Sequence, residues 1–525
     1  MKTAFDTDII YTMKSNNHKV QEYKMKKLTE LLEGVEYYCD KDISDVEVDF
    51  VTNDSRQTMA DSVFIAISGL EVDGHEFADK SYEKGCRVFI CEKPIANVPY
   101  DDIYYIRTPD TRKALALVSA AFYSHPAKKM KIIGLTGTKG KTTTAYLIYS
   151  ILNAAGKSAA YIGSNGIDYG IYHYDTANTT PESRALQYHF SKMVEAGVEY
   201  VVMEVSSQAL YLHRVYGIEF ETVVFTNLAP DHIGGHEHPT FEHYRDCKRS
   251  LFYDFGAKNM VYNADDEAAD YMVNPALSLY PISTEGKGSF NATDIEQYTD
   301  GGVLGISFEF SSGRSSYKVR TRTPGHFSVY NAMCAMVVAK LCGVNFYSCA
   351  KRLAELSVLG RFECVDAATD RVFLIDYAHN GFSLRAVLEA LKTYPHNRLI
   401  CLYGSVGDRT KGRRAELGDV AEELCDFSII TADNPGFEDP ESVIGDIVQS
   451  YLKRGNRNFA ALTDREEAIE FAVEHSQPGD IILLAGKGHE NYQLIRGKKI
   501  PFCERELVIK YCKKHLTSAK TPVKK

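Results

Sequence analysis

The residue types and spacing that speak most directly of chemistry lie in Gly134-Leu135-Thr136-Gly137-Thr138-Lys139-Gly140-Lys141-Thr142-Thr143-Thr144. A glycine loop at a helix N-terminus offers free backbone N–H groups that can hold a phosphate chain. Lys141 can reach the outer phosphates, and the Thr142 hydroxyl suits a Mg²⁺ ligand. The fit to G-x-x-x-x-G-K-[ST] is imperfect, because Leu135 stands in the first glycine's place. The segment predicts ATP binding through Gly137, Thr138, Lys139, Gly140, Lys141, Thr142 and Thr143. Such a loop must be positioned by a strand before it and a helix after it. Lys131 to Leu135 reads as a buried strand, and Thr142 to Ala155 as a helix with Tyr146, Leu147, Ile148, Ile151 and Leu152 on its apolar side and Gly156 as its stop.

Other groups at strand ends could serve a Mg·ATP site. Glu204 closes Tyr200-Val201-Val202-Met203-Glu204, and Asp231-His232 follows the strand Thr222 to Asn227. A carboxylate and an imidazole there can ligate Mg²⁺ or position its waters. A solvated Glu204, and a loop cluster or zinc site at His232, His236 and His238, are the competing readings. Oxygen-rich surroundings favour Mg²⁺ over zinc.

The chain of 525 residues is long enough for three domains. Its 44% hydrophobic and 25% charged residues are those of an ordinary globular protein. A formal charge of −10 argues against a nucleic-acid partner. No apolar run of about 18 residues predicts a membrane span, and the N-terminus lacks a signal peptide's apolar core. Twelve cysteines with no C-x-x-C pair read as buried hydrophobes in a reducing cytoplasm. Residues before Met25 are polar and aperiodic, so Met25, where the first helix begins, is either the functional start or the end of a disordered extension. Thr517 to Lys525 read as a disordered tail.

From Lys131 onward strands and helices alternate, which predicts an α/β fold with parallel sheets. A further alternating block begins near Arg361, with strands Val372 to Asp376, Leu399 to Gly404, Ser428 to Thr431 and Ile481 to Ala485. Polar or glycine-rich tips follow these strands, where ligands bind in open α/β sheets.

Together the motifs resemble the Mur ligase superfamily, specifically the enzymes that add the third amino acid of the peptidoglycan stem peptide. They are Asp54-Ser55-Arg56, Asp73-Gly74-His75, Gly137-Thr138-Lys139-Gly140-Lys141-Thr142-Thr143, Asn178-Thr179-Thr180-Pro181, Met203-Glu204-Val205-Ser206-Ser207, Thr226-Asn227-Leu228-Ala229-Pro230-Asp231-His232, Leu359-Gly360-Arg361, Ile375-Asp376-Tyr377-Ala378-His379, Gly407-Asp408-Arg409-Thr410-Lys411-Gly412, Asp433-Asn434-Pro435 and Gly486-Lys487-Gly488-His489-Glu490. The resemblance runs from about Lys27 to Leu507. It implies a UDP-muramoyl-peptide-binding domain over 25–130, a central ATPase over 131–355 and a Rossmann-like ligase domain over 356–525.

The resemblance also implies the site residues. Lys141, Glu204, His232 and Lys248 would be catalytic. Thr142, Glu204, His232 and Lys248 would hold Mg²⁺, with Lys248 carbamylated to N6-carboxylysine. Asn331, Arg361, Asp376 and His379 would complete the ATP site. Ser55, Thr179, Thr180, Ser206 and Arg214 would take UDP-N-acetylmuramoyl-L-alanyl-D-glutamate, and Arg409, Asp433, Asn434, Pro435, Gly436, Gly486 and Glu490 the free amino acid. A cytoplasmic monomer using ATP and Mg²⁺ is the expectation.

Two departures, Gln208 after Val-Ser-Ser and Ile233-Gly234-Gly235-His236-Glu237-His238-Pro239 after Asp231-His232, resemble the lysine-adding branch. Members that add diaminopimelate read Asp-Asn-Pro-Arg where this chain has Gly436, and a missing Arg removes a carboxylate clamp. L-lysine is therefore expected, with Asp433, Glu438 and Asp439 available to its ε-ammonium; for Glu438 and Asp439 a solvated loop face is the competing reading. Ornithine, alanine, serine and homoserine stay open. The rival readings are a folate polyglutamate ligase, whose loop usually ends Gly-Lys-Gly-Ser, and a non-catalytic Mur-like ATP-binding partner. Against the second, none of Lys141, Glu204, His232, Lys248 and Asp376 has been lost.

Overall fold

The computed structural model describes residues 25–69, 72–235, 237–408 and 411–516. The readings of an N-terminal extension and a C-terminal tail fall on residues outside these. The described residues form two compact units, one of 25–145 and 155–280, the other of 146–154 and 281–516. Among them no helix is long and apolar enough to cross a membrane.

The first unit opens with a short strand, Lys26–Lys27, and one helical turn, Leu28–Leu31, rather than the longer helix expected from Met25. A four-stranded parallel sheet follows, ordered Phe50–Thr52, Ser62–Ile65, Val88–Cys91, Tyr104–Arg107. Its two middle strands are buried along their length, as parallel strands covered on both faces must be. Asp110 caps the helix Thr111–Phe122, accepting from the Arg112 and Lys113 N–H groups. His75 is a structural pin: Nδ1 lies 2.7 Å from Asp73 and Nε2 accepts the Glu92 N–H.

The rest of this unit is built on parallel strands in the order Ala159–Gly163, Tyr200–Glu204, Lys131–Thr136, Thr222–Phe225, Asn259–Asn263. The first strand in the chain is central, and successive connections leave it toward opposite sides. The topological switch point thus lies at the carboxyl end of Lys131–Thr136, where the glycine loop begins. The helix after the loop runs Lys141–Ala154.

The second unit departs from the purely parallel expectation. Phe290–Asp300, Val303–Ser312 and Ser315–Thr321 form an antiparallel meander. Its first turn is made by Gly301 and Gly302 at φ +57° and +83°, a backbone that only glycine adopts readily. Gly166–Tyr169 and Tyr172–Tyr174, at the edge of the first unit's sheet, are antiparallel too. A six-stranded sheet of the second unit orders Glu363–Cys364, Val372–Asp376, Ile481–Ala485, Leu399–Tyr403, Phe427–Thr431 and Phe459–Leu462, parallel except at its first pair.

Candidate active site

The glycine loop is laced to the neighbouring strand end. Thr138 N–H donates to the Asn227 carbonyl, Lys139 N–H to Asn227 Oδ1, and Thr226 Oγ1 to the Lys139 carbonyl at 2.7 Å. A Cβ on Gly137 would lie 2.0 Å from Thr226 Oγ1, so this close approach requires glycine. Leu135 belongs to the strand, its carbonyl accepting from Val205 N–H, and Gly137 makes the turn that a first glycine would otherwise make.

Two ammonium groups converge on one carbonyl. Lys141 Nζ donates to the Gly137 oxygen at 2.8 Å and to the Thr138 oxygen at 3.1 Å, and Lys248 Nζ donates to the same Gly137 oxygen at 2.9 Å. Lys248 is only 2% exposed, contrary to an ordinary surface lysine. Burial, reinforced by the charge of Lys141, holds its pKa well below the usual lysine range. Its ammonium also sits 4.5 Å from the centre of the Tyr244 ring, whose hydroxyl meets Thr138 Oγ1. Tyr244, four residues before Lys248 on the helix Phe241–Tyr253, is a contributor that the motifs do not announce.

Next to these cations lies a buried oxygen cluster. Thr142 Oγ1 donates to Glu204 Oε2 at 2.9 Å, while Glu204 Oε1 accepts from Tyr161 OH at 2.8 Å and Ser164 N–H at 2.9 Å. A hydroxyl and a carboxylate already in contact are hard donors of the kind Mg²⁺ takes, so these residues fit that ion. His232, in left-handed backbone at φ +56°, pairs instead with Glu237 at 2.9 Å. Asp231 is 3.1 Å from Lys139; burial works to raise its pKa, but Lys139 and His232 hold it below the usual range. The His238 N–H donates to the His232 carbonyl, but its side chain turns elsewhere. It lies against His243, and burial with that neighbour lowers its pKa to about 4.

The segment Thr179-Thr180 is tied to the same cluster. Thr179 Oγ1 is 2.9 Å from Ser164 Oγ, and Thr180 Oγ1 donates to the Glu204 carbonyl and accepts the Ser206 N–H. Arg214, buried, donates to the Thr180 carbonyl and pairs with Glu182 at 2.7 Å. Ser206 caps the helix Ser207–Tyr211. Ser55 lies in the turn after Phe50–Thr52, its carbonyl held by Thr58 Oγ1 and Lys84 Nζ.

In the second unit the strand tips do assemble. Lys487, fully buried, donates to Asn434 Oδ1 at 3.0 Å, pairs with Glu490 Oε2 at 3.1 Å and stands 3.5 Å from Asp433 Oδ1. Asn434 Nδ2 donates to Glu490 as well. Lys487 is the hub of this network, although the sequence assigns it nothing. Gly486 presses on Asp433, with a Cβ there 2.9 Å from Oδ2. Gly436 adopts φ +63°, and a Cβ on it would meet Asp408 Oδ2 at 2.3 Å. Arg409 lies outside the described residues.

Two acidic residues expected to meet a lysine substrate are committed elsewhere, which corrects that reading. Glu438 grips Arg414 through both oxygens and accepts the Asp408 N–H, and Asp439 caps the helix Pro440–Lys453. Asp376 accepts the Phe362 and Ala378 N–H groups, and burial raises its pKa against the pull of Arg361. Arg361 stacks over Tyr377 at 4.7 Å, and His379 Nδ1 bonds the Tyr377 carbonyl. Asn331 is buried on the helix Phe327–Leu341.

Three family models match the chain: Mur ligase family, catalytic domain, over 47–123; Mur ligase middle domain over 135–339; and Mur ligase, glutamate ligase domain, over 360–488. A relative from Caldanaerobacter subterraneus subsp. tengcongensis is 37% identical over 482 residues, 92% of this chain and 98% of its own. The chain belongs to the Mur ligase family. That relative is named UDP-N-acetylmuramoyl-L-alanyl-D-glutamate--2,6-diaminopimelate ligase, as is one from Clostridium botulinum that is 36% identical over 91% of this chain and 98% of its own. A solved structure of a ligase of that name, 28% identical, superposes over 95% of this chain and 100% of that one with a TM-score of 0.68.

Mur ligases depend on ATP and Mg²⁺, and the first unit of this Mur ligase has a glycine loop with a hard-oxygen cluster beside it. Gly163 guards that cluster: a Cβ there would fall 2.2 Å from Glu204 Oε1 and 2.3 Å from Tyr161 OH. Gly163→Ala is expected to cost about 1–3 kcal/mol of stability through overpacking and to lower ATP turnover by displacing the carboxylate. Urea unfolding and phosphate release check this. An unchanged midpoint with full turnover would mean that Glu204 does not sit in this contact.

Proposed function

We propose that this Mur ligase uses ATP to join a free amino acid to the D-glutamate of UDP-N-acetylmuramoyl-L-alanyl-D-glutamate, a step of peptidoglycan precursor synthesis in the cytoplasm. Its domains are 25–130 for the UDP-muramoyl-peptide, 131–355 for ATP and 356–525 for the amino acid. The observation that carries the reading is the convergence of Lys141 and Lys248 on the Gly137 carbonyl, beside the Thr142–Glu204 contact. The Lys141 ammonium, beside a hydroxyl and a carboxylate that can hold a metal ion, makes a place for a triphosphate.

The substrate's γ-carboxylate attacks the ATP γ-phosphorus. A carboxylate O–P bond forms, the bond to ADP breaks, and an acyl phosphate results. The neutral amine of the incoming amino acid then attacks the acyl carbon, phosphate leaves, and the amine's proton is lost. The first step brings carboxylate and triphosphate together, so fixed positive charge is the main demand on the protein. Lys141 meets it at the β- and γ-phosphates. When bound, Mg²⁺ supplies further neutralisation, and Thr142, Glu204, His232 and carbamylated Lys248 are the residues that would hold it. Burial favours the neutral Lys248 amine over its charged form, and the neutral amine is the form that adds CO₂ with loss of a proton to become a carbamate. The resemblance assigns further nucleotide contacts to Asn331, Arg361, Asp376 and His379. Ser55, Thr179, Thr180, Ser206 and Arg214 form the muramoyl-peptide site, with Thr180 and Arg214 acting by positioning, since their polar atoms are engaged within the protein.

For the amino acid, the pocket of Asp433, Asn434, Pro435, Gly436, Gly486 and Glu490, with Arg409, supports L-lysine. At Gly436 the nearest side-chain group is the Asp408 carboxylate, which attracts an ammonium and repels a second carboxylate. The names of the relatives favour meso-diaminopimelate instead, and that is the second reading. Phosphate release from ATP with the UDP-dipeptide and either amino acid decides between them. Lysine is expected to be used at least about a hundredfold better, because each unpaired buried charge costs about 1–3 kcal/mol. Gly436→Arg is expected to weaken lysine use about tenfold, through a strained backbone and contact with Asp408. Preference for diaminopimelate would overturn the lysine reading and leave the ligase standing. No amino-acid-dependent phosphate release with the UDP-dipeptide would overturn both.

A further inference from the structure

The helix Phe241–Tyr253 and the loop before it gather three side chains that the proposed reaction does not use. His238, 1% exposed, places Nδ1 2.9 Å from His243 Nδ1, and Cys247 Sγ lies 3.8 Å from His243 Nδ1 and 3.9 Å from Nε2. One ligand atom from each of the three lies within 4.8 Å of the other two. A tetrahedral Zn²⁺, with bonds of about 2.0–2.1 Å to nitrogen and 2.3 Å to sulfur, holds its ligand atoms roughly 3.3–3.8 Å apart. The cluster needs only small side-chain adjustments to reach that spacing.

Local structure already fixes the donors. His243 and Cys247 are four residues apart and share one face of the helix, whose first turn is held by Thr240 accepting the His243 N–H. His238 Nε2 is 2.9 Å from Ser207 Oγ. A proton on Nε2, donated to that hydroxyl, leaves the Nδ1 lone pair facing the cluster, as the outer partners of metal-bound histidines do. His238 is enclosed, whereas His243 and Cys247 are half-buried and give an ion a way in.

We propose that His238, His243 and Cys247 form a binding site for a borderline-soft divalent cation of the Zn²⁺ class, separate from the Mg·ATP site. Two imidazoles and a thiolate suit Zn²⁺, while Mg²⁺ takes oxygen ligands. The ligand atoms that face His238 Nδ1 are nitrogen and sulfur, not the oxygen-rich surroundings on which the preference for Mg²⁺ rests. His232 faces Glu237, and His236 lies outside the described residues. Three protein ligands leave the fourth position to water. A bound cation ties the loop bearing Asp231 and His232 to the helix bearing Lys248.

The test uses the full chain without a histidine tag, stripped with chelator and titrated with Zn²⁺ alone by calorimetry. Parallel titrations with Co²⁺ report a thiolate-to-metal charge-transfer absorption. One tight equivalent is expected, undisplaced by millimolar Mg²⁺. Cys247→Ser and His243→Ala are each expected to weaken binding at least about a hundredfold and Cys247→Ser to abolish the Co²⁺–thiolate band, Ser207→Ala to weaken binding about 10–100-fold, and His475→Ala to change nothing. Peptide mapping of the unmutated chain supplies a check that does not depend on variants folding: Zn²⁺ should slow alkylation of Cys247 at least about tenfold. Absence of stoichiometric Zn²⁺ binding, the same band and affinity in Cys247→Ser, or equal alkylation rates with and without Zn²⁺ would each overturn the proposal.

Discussion

Lys141→Ala is expected to abolish both phosphate release and ligation, with a loss of at least about a thousandfold in kcat, while the fold survives. The physical reason is local. The Lys141 ammonium now caps the carbonyls of its own loop, at 2.8 and 3.1 Å, and the loop has other supports in Thr226 and Asn227. Removing it therefore takes away charge from the phosphate site without removing what shapes the loop. A circular dichroism spectrum and thermal midpoint like those of the parent, with no turnover, is the expected pattern. Near-normal turnover would show that this loop does not hold the triphosphate.

Lys248→Ala is expected to lower kcat about a hundredfold to a thousandfold, with partial rescue by formate or acetate. Burial shifts Lys248 toward the neutral amine that adds CO₂, and a carbamate there would offer Mg²⁺ two oxygens that alanine lacks. Short carboxylates can enter the space vacated by the side chain and replace those oxygens. Intact-mass analysis in bicarbonate gives a second readout, a labile gain of one CO₂ in the parent that is absent from the variant. Lost activity without any rescue, together with no CO₂ adduct on the parent chain, would sink the carbamate. Lys248 would then be a structural lysine holding the Gly137 carbonyl.

Much of the first unit's site was legible locally. The run Lys131 to Leu135, the glycines at 137 and 140 and the apolar side of the following helix each obey short-range rules, and the observed strand and helix differ from them by one residue. The same holds for Val372–Asp376 and Ile481–Ala485 in the second unit, whose buried apolar runs match expectation at both ends. The antiparallel meander was missed although Leu304, Ile306, Phe308 and Phe310 alternate along its second strand and Tyr317 and Val319 along its third; its first strand, Phe290–Asp300, is mostly polar and largely exposed and hides the pattern.

What the sequence by itself determined is an α/β Mur ligase with a glycine loop between a central strand and a helix, because glycine placement, strand-end carboxylates and apolar periodicity act over a few residues. Tertiary structure decided which distant groups meet. Lys248 and Gly137 are 111 residues apart, and no periodicity reveals that an amphipathic helix turns this lysine inward onto a loop carbonyl. Likewise Glu438 and Asp439 look available in a linear reading, yet folding commits them to Arg414 and a helix end. Lys487 becomes the hub between Asn434 and Glu490 only when separate strand ends converge. Charge and burial are set by neighbours across the fold, so the protonation of Lys248 and the company of His238 were questions that only three-dimensional packing could answer.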